Sequence, residues 1–230
     1  MGSGTASLVR DLIVQSICNA PENIPTLVLI DPQVIDLSVF ERLPNVYGQN
    51  VFCDVKETEE IFEELSIEIR RRKKLMKEAA AETVAEYNRH VSRGLRLRQI
   101  VVIFNCFNRM WDCSEEKFRI KNTYEKLKIL MQEACAVGIS FALFTQRELS
   151  EQFCSALDWD FWQTLFEIKI ACRTSDQFFS TKLIGRKDAE YLTGNCDLLC
   201  VSKNGIQHLQ QYYISMEEIE KIKNTVAKSD

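Results

Sequence analysis

The stretch that most limits what this chain can become is Ile100-Val-Val-Ile-Phe104. It holds five consecutive apolar residues, set between the basic segment Arg93 to Gln99 and the polar Asn105. A short, continuous, β-branched run reads as a strand covered on both faces. In open α/β sheets ligands sit beyond the carboxyl ends of such strands, so Asn105 and Cys106 stand where chemistry would be done. Where such a strand serves phosphoryl transfer, that place carries an Asp for Mg²⁺ and a Glu that activates water. An amide lacks the charge a Mg²⁺ site wants, and a thiol is a poor ligand for a hard ion. The frame of a nucleotide motor is expected here without its acids.

A chain of 230 residues can bury one good-sized core, so a single α/β domain over 1–230 is expected. With 46% hydrophobic and 27% charged residues, global disorder is excluded. The net charge of −4 supplies no overall basic field, so contact with nucleic acid must come from a local patch. Nine cysteines without a CxxC, beside only two histidines, read as free, mostly buried thiols of a reducing compartment. On a strand Cys196 and Cys200 would lie about 13 Å apart, too far to share a metal, and no metal site is expected. No signal peptide and no apolar run near about 18 residues occurs, so a cytoplasmic chain without a membrane-spanning segment is expected.

Thr5 to Ala20 has helical spacing, and Thr26 to Ile30 is a second buried-type strand ending in Asp31-Pro32. This order suggests parallel βαβ construction. Val34 to Tyr47 reads as turns, and Val51 to Cys53 as a brief strand. Glu57 to Val91 carries the longest helical pattern, with a break expected near Leu75 and a second helix from Lys77. Ser114 to Ala136 is a helix stopped by Gly138, and Ile139 to Thr145 a strand. Trp159, Phe161, Trp162 and Phe166 read as core at helical spacing rather than a stacking platform for bases. Glu167 to Ala171 is a strand candidate, Ser175 to Lys182 and Asp188 to Gly194 are helical, and Asp197 to Tyr213 is a hairpin around Lys203-Asn204-Gly205. The last helix, Met216 to Val226, opens with Ser215 and Glu218 in the capping-box pattern.

Gly2-Ser3-Gly4-Thr5-Ala6-Ser7 before a helix has the outline of the end of a phosphate loop, where backbone N–H groups would hold phosphates. The lysine and the metal-binding hydroxyl such a loop requires are replaced by Thr5 and Ala6, and the strand before it is absent. A vector scar is the competing source of Met1 to Gly4. Asp31 reads as a catalytic acid or an ordinary turn starter, and Gln146 as a γ-phosphate sensor or a loop-capping amide. His90 and His208 read as surface or core residues. Arg70, Arg71, Arg72, Lys73 and Lys74, with Arg93, Arg96 and Arg98, are candidates for DNA contact; the competing reading is a solvated helix face.

Six segments in register carry a resemblance over nearly the whole chain. They are Leu29-Ile-Asp-Pro-Gln33 with Asp36 to Phe40 and Pro44, then Arg71 to Met76 with Val84 to Asn88, then Val101 to Phe107. Ala134 to Arg147, Asp188 to Leu199 and Tyr213 to Ile219 complete the set. Together they resemble the motor domain of FtsK/SpoIIIE DNA translocases. The resemblance implies an α/β fold of RecA-like, P-loop type, a mostly parallel sheet flanked by helices, lacking the strand before the phosphate loop. It implies ATP with Mg²⁺ as cofactors where the site is competent, double-stranded DNA as a partner, and oligomers with other motor-type domains.

The departures fall on the chemistry. Thr5 and Ala6 stand for the phosphate-loop lysine and hydroxyl, and Asn105 and Cys106 for the metal-holding Asp and the Glu that activates water. Ser180-Thr181 replaces the family's Ser-Arg, and Gly194-Asn195-Cys196 loses its second glycine. Losing one charged member of such a site costs several kcal/mol of transition-state stabilisation. The expectation is therefore a non-hydrolysing scaffold or regulatory subunit of a DNA- or protein-translocating assembly, set near a membrane complex. Competing expectations are an active double-stranded DNA translocase domain and a structural subunit of a secretion or conjugation complex.

Overall fold

The computed structural model describes residues 4–19, 23–113, 115–145 and 150–226. It resolves into two compact units, residues 16–143 and residues 1–15 with 144–229, and the division falls within helix α1 (Thr5–Cys18).

The first unit is built on a parallel sheet in which β1 (Thr26–Ile30) is flanked by β2 (Val46–Phe52). Helices α2 (Val55–Glu78) and α3 (Val84–His90) follow, then β3 (Ile100–Phe104), α4 (Arg109–Cys113), α5 (Lys117–Ala134) and β4 (Ile139–Leu143). The strand order is β2-β1-β3-β4, and β1, β3 and β4 align residue for residue, Leu29 opposite Ile103 and Ile103 opposite Ala142. The run that opened the sequence reading is thus a central strand, and Val102, Ile103 and Phe104 are fully buried. β2 begins five residues earlier than expected, at Val46 rather than Val51. It is an edge strand whose register shifts between Leu27 and Leu29, and Gly48 and Gln49 take positive φ inside it, which hides the period-two pattern.

Asp54 and Glu57 close a capping box at the start of α2, the Asp54 side chain accepting the Glu57 N–H at 2.8 Å. Ile61, Phe62, Leu65, Ile69 and Met76 form its buried stripe. The helix runs three residues past the expected break near Leu75, and α3 starts at Val84 rather than Lys77. Thr83 decides that start, accepting the Glu86 N–H at 3.1 Å. Charged pairs join α2 to α5: Glu59 with Arg119 at 2.8 Å, Glu63 with Lys126 at 2.9 Å and Lys73 with Glu133 at 2.7 Å. α5 opens at Lys117, behind the separate α4; Ser114 lies outside the described residues. Gly138 ends this stretch at φ +73°, as expected.

The second unit contains α6 (Glu151–Ala156), α7 (Trp159–Trp162), β5 (Lys169–Cys172), α8 (Gln177–Ile184), β6 (Asp197–Ser202), β7 (Gly205–Gln210) and α9 (Met216–Val226). Its sheet is antiparallel in the order β5-β6-β7, and Ala171, Ile184, Ala189, Leu192 and Leu199 form a core cluster. Trp159 and Trp162 are buried while Phe161 is partly exposed, so the aromatic cluster packs as expected at two of its positions. Asp188 to Tyr191 is a 3-10 turn, shorter than the helix expected there. Ser215 and Glu218 form the anticipated box on α9.

Candidate functional site

At the carboxyl ends of β1 and β3 the chain gathers buried polar groups. The Asp31 carboxylate is buried and accepts the backbone N–H groups of Gln33 and Asp36, both at 3.2 Å, and of Leu37 at 3.4 Å. It organises its own loop, as the turn reading of Asp31 expects. Val34, in the middle of that loop, is held at φ +56°, a strained conformation for a β-branched residue. From β3, Asn105 turns back under the loop: its Nδ2 donates to Asp36 at 3.4 Å, and its Oδ1, fully buried, has no hydrogen-bond partner among the described residues. Cys106 follows at φ +49° and donates its thiol to the Gln33 amide oxygen at 3.3 Å. Phe107 then packs edge-on to Phe104, with ring centroids 5.4 Å apart, and its carbonyl accepts the Tyr124 hydroxyl. The strand end is thereby fixed from both sides.

In the second unit the start of α1 is occupied by its own neighbours. Gly4 has φ +94°, and a Cβ there would stand 3.2 Å from the Cys196 backbone nitrogen. Thr5, at the expected lysine position, is buried. Its hydroxyl hydrogen-bonds the Cys172 thiol, which burial nonetheless pushes above its ordinary range. Ala6 offers only a methyl group. Asn195 and Cys196, where the expected second glycine is lost, both take positive φ. Gly2, Ser3 and Gln146 lie outside the described residues.

ATP with Mg²⁺, which the resemblance implies, finds a poor match in these groups. β3 ends in a neutral amide whose donor is already engaged by Asp36, followed by a thiol engaged by Gln33. A hard divalent ion needs anionic oxygens there. No cluster of three or more metal-ligating side chains occurs among the described residues.

The basic candidates separate into two kinds. Arg72 departs from the solvated face expected of the run: its side chain is 4% exposed, bound to Glu68 at 2.7 Å and donating to the Val137 carbonyl at 2.9 Å. Arg71 shares Glu68 at 2.6 Å, Lys73 is paired with Glu133, and Lys74 lies 3.9 Å from Glu78. Arg70 is exposed. Arg93, Arg96 and Arg98 are also exposed, and no ion pair involves them among the described residues.

One constellation had no signal in the sequence. His208 on β7 meets the buried Asp197 on β6, whose carboxylate also accepts the Thr193 N–H at 2.8 Å and hydroxyl at 3.0 Å. The Thr193 N–H foremost, then His208, hold Asp197 below the usual carboxylate range against the opposing cost of burial. Only the hairpin register brings these residues together.

A parallel sheet with this strand order, flanked by helices and ending in the loop after β3, is the fold of P-loop ATPase motor domains. The solved structures agree. A monomeric form of the pCW3 conjugation coupling protein TcpA with ATPγS superposes with a TM-score of 0.80 at 18% identity, covering 100% of this chain and 62% of that one. The cytoplasmic domain of the Type VII secretion ATPase EccC of Thermomonospora curvata gives a TM-score of 0.75 at 16% identity, over 98% of this chain and 27% of that one. The model of the FtsK/SpoIIIE family matches residues 1–165, and the chain belongs to that family. Among curated relatives, DNA translocase FtsK of Sporosarcina ureae is 23% identical over 98% of this chain, which covers 29% of that protein. DNA translocase SpoIIIE of Bacillus subtilis is 23% identical over 96% of this chain and 28% of its own length. The chain thus spans under a third of these relatives. No helix among the described residues is long and apolar enough to cross a membrane.

Proposed function

We propose that this chain is a non-hydrolysing motor-fold domain, a scaffold or regulatory subunit of an assembly that moves DNA or protein. The observation that carries the reading is the end of β3. Asn105 lies buried with its donor on Asp36, and Cys106 with its thiol on Gln33, so both uncharged side chains are engaged by the loop that follows β1. The burial of Thr5 against Cys172 supports it from the second unit. All 230 residues form one motor-type domain in this reading, since single alignments to the relatives run through 96–98% of the chain. The likeness to a conjugation coupling protein and to a secretion ATPase supports a partner role beside active motor domains, on the cytoplasmic side of a membrane complex.

Calorimetric titration of ATP with Mg²⁺ into the purified chain, with phosphate release followed alongside, tests the reading. Neither heat nor phosphate is expected. Turnover that disappears when Asn105 or Cys106 is changed would overturn it and restore an active translocase domain.

DNA contact is a separate part of the proposal, favoured by the names of the relatives and by the exposed Arg93, Arg96 and Arg98. Free guanidinium groups suit phosphate better than those already spent on carboxylates.

A further inference from the structure

We propose that β7 is a homotypic docking edge, at which two copies of this chain pair their β7 strands antiparallel about a two-fold axis through His208. β7 is the last strand of its sheet, and all six of its residues are exposed. The Gln211 N–H bonds the Cys196 carbonyl at 2.8 Å, which sets the phase of the β6–β7 ladder. Gly205, Gln207, Leu209 and Gln211 therefore point their backbone groups at β6, while Ile206, His208 and Gln210 turn N–H and C=O outward.

An edge of this kind is ordinarily blunted by Lys, Pro, a bulge or an inward charge. Here Asn204 to Met216 contains no Asp, Glu, Lys, Arg or Pro, in a chain that is 27% charged, and the β6–β7 register runs without a shift from Asp197 to Ser202. The outward groups are self-complementary. With the axis at His208, Ile206 faces Gln210 of the second copy, His208 faces its own equivalent, and Gln210 faces Ile206, so every outward pair is used. A shift of the axis by one residue keeps the phase but leaves one outward residue of each copy unpaired, and a shift by two leaves two.

Charge points to a second copy as the occupant. An uncharged edge brings no like charges together, whereas a polyanion would find nothing on it to bind. Ile206 and Leu209, each 40% exposed, lie on opposite faces of the strand, and Tyr212 and Tyr213, at 84% and 74%, extend the apolar surface beyond it. The contact is isologous and closes at two, unlike the head-to-tail contacts that build rings. An edge pairing of this size falls below standard interfaces, so dissociation at about 1–100 µM is expected.

Sedimentation of the full chain across that range tests the proposal, with two variants. I206K/Q210K sets lysine against lysine in both outer pairs, and is expected to weaken the dimer at least about tenfold. I206K/Q210E sets lysine against glutamate and is expected to restore it to within about threefold. All these side chains are exposed, and thermal unfolding checks that both variants fold. A wild-type chain that stays monomeric, a ring in place of a dimer, a dimer unmoved by I206K/Q210K, or a failure of I206K/Q210E to recover would each overturn the proposal. None of these outcomes depends on whether nucleotide binds.

Discussion

Asn105 carries an unusual burden for a neutral residue. Its Oδ1 is buried without a partner, a condition that costs about 1–3 kcal/mol wherever it occurs. Restoring an acid does not relieve it, because Asn105→Asp removes the donor that Asp36 uses and sets two carboxylates together. We expect N105D to unfold about 2 kcal/mol more easily than the parent at pH 7. Urea titration at pH 7 reads the effect, and a stabilised N105D would contradict the account of this loop. Asp197 gives the opposite sign. Its folded pKa lies below the usual 3.8, so its contribution is complete above that value and lost as pH falls through the depressed one. The stability difference between the parent and Asp197→Asn should close as pH falls below about pH 4. A difference that instead grew below about pH 4 would mean the Thr193 and His208 contacts do not hold the carboxylate.

At the scale of elements, glycine and capping residues mark where the chain turns. Gly138 sits at φ +73° with the Cβ position 3.0 Å from both Val84 Cγ2 and Gln99 Oε1. Gly138→Ala should lower stability by about 1–3 kcal/mol, through backbone strain and displacement of the Val84 methyl; thermal unfolding measures it. Gly138 and the Ser215–Glu218 box could be read directly, because they act within one turn of chain. β1, β3 and β4 could be read too, since strands buried on both faces are apolar at every position. β2 could not, because an edge strand interrupted by Gly48 and Gln49 has no period to detect. The capping residue Thr83 went unread for a different reason: the apolar pattern continues across the gap between α2 and α3, and the side-chain cap at Thr83 marks where the second helix begins. In the site, the loss of charge at Asn105 and Cys106 was visible residue by residue. The contacts that replaced it were not, because Asp36, Gln33 and Cys172 lie far from their partners in sequence.

For the whole molecule the question is which basic surface meets a polyanion. The run from Arg70 to Lys74 is the denser in sequence, yet Arg71 and Arg72 share Glu68, and Lys73 reaches Glu133 across to α5. A phosphate must compete with those carboxylates, which lowers the gain from each contact. Arg93, Arg96 and Arg98 pair with no carboxylate among the described residues and lie within six residues of chain just before β3. Each phosphate contact made there should release counterions and steepen the salt dependence of binding by nearly one unit in a log–log plot. If the chain binds duplex DNA, R93Q/R96Q/R98Q should flatten that slope by about two to three, while K73Q/K74Q should change it by less than about one. Fluorescence anisotropy with a labelled duplex over a series of salt concentrations separates the two surfaces. The reverse ranking would place the contact on α2 and require the Glu68 and Glu133 pairs to open when DNA binds.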